Sequence, residues 1–248
     1  MKKKKIIIIT CIVILGICLV GYGIFSLMNS NQKQTSNPEE SSDPNNSQET
    51  EETVKIKVVN AAGYDVTANT ISNDNAVAIL LKETEGANQM LKVKFDLSDE
   101  NGNTISSEEQ YLPILENSYA ASSIPLIDAD GKSLGVKTVE INISKEGDYM
   151  NQLQANLFDY DSSNSIDGRK INTTLNITYR GNENLPMISG SVVALKENKI
   201  IGLMSFSKEN ITANSTSAIS VDPIEVLSVE DATNSYDNIL VFVNNLGF

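Results

Sequence analysis

The chain has 248 residues, with 32 acidic against 19 basic side chains for a formal net charge of −13, and it contains neither histidine nor tryptophan. The absence of histidine excludes a Ser-His-Asp triad and imidazole ligation of zinc or copper, and so acidic a chain is repelled by nucleic acid and other polyanions. Both cysteines, Cys11 and Cys18, lie near the start of the chain, so no disulfide framework is available to the rest.

Lys2–Lys5 precede an uninterrupted apolar run, Ile6–Met28. As a helix this run would reach about 34 Å, against a hydrocarbon core of about 30 Å, which predicts a membrane span. The lysines lie on one side only, so the positive-inside rule places the N-terminus in the cytoplasm and everything after Met28 outside. An uncleaved signal anchor is the preferred reading, ahead of a signal peptide cut near Gly21 and Gly23 and of a lipoprotein through Cys18, whose cleavage box would hold bulky Ile17. Residues 29–53 are Ser, Asn, Gln, Glu and Thr with Lys33, Asp43 and two prolines, a composition that cannot bury enough surface to offset chain entropy. They read as a disordered acidic linker of roughly 25 to 30 Å mean reach.

From Val54 onward apolar and polar residues alternate, the period of half-buried strands. Strands are predicted at Val54–Val59, Ala76–Leu81, Val93–Leu97, Ile124–Ile127 and Val136–Ile143. A second set is predicted at Leu153–Phe158, Ile171–Tyr179, Met187–Leu195, Lys199–Phe206, Ser217–Val221 and Ile239–Val243. Turn signals such as Asn73-Asp74-Asn75, Asn101-Gly102 and Asp130-Gly131 separate them. The two sets align: Leu97 with Leu195, Ile105 with Ile201, and Asn117-Ser118 with Asn214-Ser215. A duplication is expected. The fold class is therefore all-β, with two tandem small Ig-like β-sandwich domains after an N-terminal transmembrane helix and a disordered linker. The domain bounds are 1–28 for tip and anchor, 29–53 for the linker, 54–145 and 146–248 for the sandwiches, with one larger sandwich as the alternative.

The first hairpin, Phe95-Asp96-Leu97-Ser98-Asp99 followed by Glu100-Asn101-Gly102-Asn103, resembles the signature of the FxLYD domain, with Ser98 where that family usually has Tyr. The resemblance covers roughly Leu80–Pro125 and, more faintly, Ile177–Pro223, where Val193, Leu195, Lys196 and Glu197 stand at the corresponding places. It implies a β-sandwich module of Gram-positive bacterial membrane and secreted proteins. It implies no particular activity.

Chemistry is sparse. Asp159, Asp161, Ser163 and Asp167 have the spacing of a calcium loop at positions one, three, five and nine. Lys170 replaces the bidentate Glu at twelve, however, and Asn164 the turn glycine, so solvated turn residues are the preferred reading. Gly190-Ser191 lacks the elbow of a serine hydrolase. No catalytic residue, cofactor or metal is expected. The sequence points to a membrane-anchored extracytoplasmic structural or protein-interaction module of a cell envelope, held by Ile6–Met28 and partnered by another envelope protein, with no nucleic acid. A small-ligand or calcium-binding cell-surface receptor is the alternative.

Overall fold

Strands make up nearly all the regular structure of the described residues. The computed structural model describes residues 54–72, 74–148, 154–225 and 236–247. In chain order the strands of the first half are β1 (Lys55–Asn60), β2 (Asp65–Ile71), β3 (Ala76–Lys82), β4 (Gln89–Ser98), β5 (Thr104–Ile114), β6 (Tyr119–Pro125) and β7 (Thr138–Asp148). Those of the second half are β8 (Phe158–Asp167), β9 (Lys170–Tyr179), β10 (Leu185–Lys196), β11 (Lys199–Ile211), β12 (Ser215–Ser220), β13 (Ile224–Glu225) and β14 (Asn238–Gly247). The helical content of the described residues is one 3-10 turn, Ala155–Leu157.

This corrects the membrane-anchored expectation. A spanning helix needs about 20 apolar residues, and no helix among the described residues is long and apolar enough to cross a membrane. The predicted span Ile6–Met28 and the predicted linker 29–53 both lie outside the described residues. The signal anchor, the membrane partner and the single-pass cell-membrane location rested on the apolar length of Ile6–Met28 and the lysines before it, and they are set aside together with the function built on them. What stands is an all-β fold of the described residues.

Four sheets carry the fold. Strands β1-β7-β4-β5 form one and β2-β3-β6 the next; β11-β10-β14 form the third, and β9 with β8, β12 and β13 the fourth. In β4, Leu91, Val93, Phe95 and Leu97 are fully buried while Lys92, Lys94 and Asp96 point outward. Those four pack with Val77, Ile79 and Leu81 of β3 and Val139, Ile141 and Ile143 of β7 in a first core between the first two sheets. A second core gathers Ile171, Leu175 and Ile177 of β9, Ile188, Val192 and Ala194 of β10, Phe206 of β11 and Val243 of β14.

Residues β8, β9, β10, β11, β12 and β14 repeat the pairing of β2, β3, β4, β5, β6 and β7: a hairpin, a second hairpin, a return to the first, and a last strand back on the second. A local bond repeats as well. Asn88, just before β4, accepts from the Glu116 N–H at 2.7 Å, and Asn184, just before β10, accepts from the Ala213 N–H at 2.8 Å. In each case the next residue, Asn117 or Asn214, has positive φ.

The two copies part at their turns. The β4–β5 loop is Asp99–Asn103, closed by the Asp99 carboxylate and by Gly102 at φ +78°, whereas β10–β11 turn through Glu197 and Asn198, both at positive φ as a tight two-residue hairpin requires. Bulges sit at Leu97/Ser98 and at Ala194/Leu195, so Leu97 corresponds to Ala194 and not to Leu195. The sequence could not settle this register, because Val192–Leu195 is apolar on both faces.

The second apolar face has a use. Val193, Leu195 and Ile200, Leu203 of β11 and Leu240, Phe242 of β14 pack against Ala78 and Leu80 of β3 and Tyr119, Ala121 of β6, forming a third apolar cluster between the two cores. This explains why every residue of Ala76–Leu81 is buried: β3 faces a core on each side. Apart from Ile127–Lys132, the described residues belong to one compact unit, Glu52–Leu126 with Ser133–Phe248.

Candidate functional site

The residues nominated for calcium do not form a loop. Phe158–Asp167 is a strand, with Phe158 buried and Tyr160 turned inward while Asp159, Asp161, Ser163 and Ser165 are exposed. Same-face neighbours on a strand are about 6.5 Å apart and run in a line, so their oxygens do not converge on one ion. Asp159 pairs with Arg180 at 2.5 Å, and Asp167 lies opposite Lys170 at the hairpin end. Among the described residues no group of three or more His, Cys, Asp or Glu could hold a metal ion. The calcium-receptor expectation is corrected accordingly. The other acidic turn consumes its own carboxylate: Asp99 accepts from the backbone of Asn101 (2.9 Å) and Asn103 (2.8 Å) and from the Asn103 side chain (3.0 Å). The Asn103 side chain and then its backbone hold the Asp99 carboxyl below the ordinary aspartate range.

Ser191 is buried in the middle of β10. The preceding Gly190 has no room for a side chain, because a Cβ there would lie 2.1 Å from the Phe242 carbonyl oxygen and 2.6 Å from the Phe206 ring. This glycine permits close packing of three strands, and its neighbour has no elbow on which to act as a nucleophile.

A group of titratable side chains, Glu83, Glu85, Lys145 and Tyr64, gathers at one end of the first sandwich, and no sequence motif announces it. Glu83, only 2 % exposed, accepts from the N–H groups of Glu85 (2.5 Å), Gly86 (2.9 Å) and, through its other oxygen, Asn117 (2.8 Å). These bonds tie the β3–β4 loop to the β5–β6 turn, and a buried carboxylate so satisfied is a staple rather than a base. Beside it Lys145 pairs with Glu85 and stands 5.5 Å from the Tyr64 ring centroid. The Tyr64 hydroxyl is buried without a hydrogen-bond partner, and burial, followed by the charges of Glu85 and Glu83, pushes its pKa up to about 12. At neutral pH this corner offers neither a free base nor a phenolate.

Polar side chains also close sheet edges, which otherwise present unpaired backbone groups. Asn69 of β2 donates to the Ile200 carbonyl at 2.7 Å and accepts from the Ile200 N–H at 2.9 Å, imitating a strand partner for β11. The Tyr160 hydroxyl accepts from the Val243 N–H on β14 at 3.0 Å, and burial raises its pKa to about 12 although that bond opposes the shift. Both roles escape sequence reading because they link residues 131 and 83 positions apart.

No family model matches the chain, and neither does any curated protein. Function must therefore be argued from the chain's own geometry. Among the described residues that geometry consists of two cores, an apolar cluster that joins them, and polar groups satisfied for the most part within the fold, the Tyr64 hydroxyl being an exception.

Proposed function

We propose that this chain is a non-catalytic, rigid double sandwich of FxLYD type, which works by holding its two outermost sheets at a fixed separation and orientation. The observation that carries the reading is the third apolar cluster, with Phe242 only 2 % exposed against Tyr119 at 5.7 Å between ring centroids, reinforced by the two bonds of Asn69 to Ile200. A flexible tandem would leave these faces polar, since exposed apolar patches of this kind promote association. The FxLYD part is supported by the roles of the motif residues: Phe95 and Leu97 fill the first core, and Asp99 organises the turn that follows.

The test is a distance distribution by pulsed electron resonance. Spin labels are placed at exposed Tyr111 and Lys208, through Tyr111→Cys and Lys208→Cys, in the full chain with Cys11 and Cys18 changed to Ser. A narrow distribution is expected. A broad one, as wide as that of two independently tumbling modules, would refute the rigid double sandwich.

A further inference from the structure

Strand β1 has no counterpart among the described residues of the second copy. There the last strand, β14, is an edge, whereas in the first copy β7 carries β1 on its outer side. The extra strand adds little to the core: Val54 and Ile56 are partly buried against it, while Lys57, Val58, Val59 and Asn60 are exposed. Its pairing with β7 is parallel, the one parallel pairing among the described strands. The register is Lys55↔Thr138, Ile56↔Val139, Lys57↔Glu140, Val58↔Ile141 and, past a bulge, Asn60↔Asn142. The Lys55 N–H donates to the Lys137 carbonyl at 2.9 Å, and Lys57 Nζ meets Glu140 at 2.8 Å across the pair.

We infer that β1 and β7 form a force-bearing clamp, so that the first sandwich resists tension applied along the chain. The chain comes into this sandwich at the N-terminal end of β1 and leaves it for the second copy from the C-terminal end of β7. In a parallel pair these two ends point in opposite directions along one axis. Tension through them slides one strand past the other and loads every bond of the ladder together. An antiparallel terminal pair would be peeled open one bond at a time. The second copy has no such arrangement among the described residues, because its first strand β8 and last strand β14 belong to different sheets. Load-bearing therefore accounts for the additional strand that, among the described residues, the first of the two matching units carries. The clamp lies within the first sandwich and does not depend on the two sandwiches being fixed to each other.

Single-molecule force spectroscopy on the full chain tests this, with Cys11 and Cys18 replaced by Ser and paired cysteine handles at exposed or partly exposed positions. Handles at Lys55→Cys and Glu146→Cys load the pair in shear. Handles at Lys55→Cys and Thr138→Cys, on facing residues, peel it from one end. Forced unfolding reports the barrier and not equilibrium stability, so the same fold must give different forces in the two directions. At one loading rate the shear force is expected to be at least about twice the peeling force. The released length, about 3.5 Å per residue between the handles, identifies the first sandwich as the part that broke. Equal forces in the two geometries overturn the proposal, as does β1 detaching under shear while the rest of the sandwich stays folded, which would make it an exchangeable strand.

Discussion

Phe242→Ala removes the largest buried side chain of the cluster between the sandwiches. Phe242 is 2 % exposed and stacks obliquely on Tyr119, with ring centroids 5.7 Å apart. Burying a phenylalanine removes about 150–250 Å² from water. At about 25 cal/mol per Å² that is roughly 4–6 kcal/mol, an upper estimate because the unfolded chain already covers part of the ring. Phe→Ala substitutions at such sites cost about 3–5 kcal/mol, and we expect a loss in that range. The partner surface must feel it too. Leu80, on β3 of the first sandwich, belongs to the same cluster, so Leu80→Ala and Phe242→Ala should be non-additive by more than about 0.5 kcal/mol. Guanidinium melts of the full chain, followed by circular dichroism and tyrosine fluorescence, supply all four corners of the cycle. A loss below about 1 kcal/mol for Phe242→Ala, or strict additivity of the pair, would refute the contact between the sandwiches.

Within the first core, Phe95→Ala should cost about 3–5 kcal/mol while Lys94→Ala, on the outer face, costs less than about 0.5 kcal/mol; equal losses in denaturant melts would mean that the β4 register is wrong. Asn69→Ala leaves both the Ile200 N–H and its carbonyl without their partner, an expected loss of about 1–3 kcal/mol, and it should broaden the label distance between the sandwiches. Tyr160 has a folded pKa raised to about 12, against about 10 when unfolded. Its contribution is therefore fully present below pH 10 and is lost as pH rises through about 12, to the extent of roughly 2–3 kcal/mol. Tyr160→Phe should be less stable at neutral pH yet flatter across that alkaline window, and parallel alkaline slopes for variant and parent would count against the assignment. Asp99 runs the other way: its lowered pKa means stability that is present above the ordinary aspartate range and lost as pH falls through the folded value, so Asp99→Asn should flatten the acid limb of the stability profile.

Where one face of a strand is apolar and the other polar, the sequence discloses the fold. Val93, Phe95 and Leu97 against Lys94 and Asp96 is such a case, and so is Ile171 to Tyr179. Alternation failed in two physical situations. Val192–Leu195 is apolar on both faces because it lies between two packed layers, and the periodicity then carries no choice of face. Phe158–Asp167 has only Phe158 and Tyr160 as inward anchors, so acid spacing outweighed the weak alternation and a strand was read as a loop. The short strand β2, Asp65–Ile71, was hidden by its polar residues, one of which, Asn69, proves to be a hydrogen-bonding bridge to β11. Of the titratable corner nothing was legible, since Glu83 becomes a staple only once Gly86 and Asn117 are brought to it by the folding of two separate loops.

The contact between the two copies joins unlike faces: the β2-β3-β6 sheet of the first meets the β11-β10-β14 sheet of the second. Head-to-tail contacts of this kind have no built-in stop, because each unit offers the next the same pair of complementary faces. In this chain the remaining equivalents of those two faces are polar. The outer face of β9 carries Asn172, Thr174, Asn176 and Thr178, and that of β4 and β5 carries Lys92, Lys94, Asp96 and Glu109, cross-linked by ion pairs of 2.8–2.9 Å. Whether such a contact can repeat is thus decided by a handful of surface side chains and not by the topology. Changing the outward residues of β9 to the alanine and leucine found at the matching face of β3, and those of β4 to valine and leucine, would give both outer faces the apolar complementarity that head-to-tail growth requires.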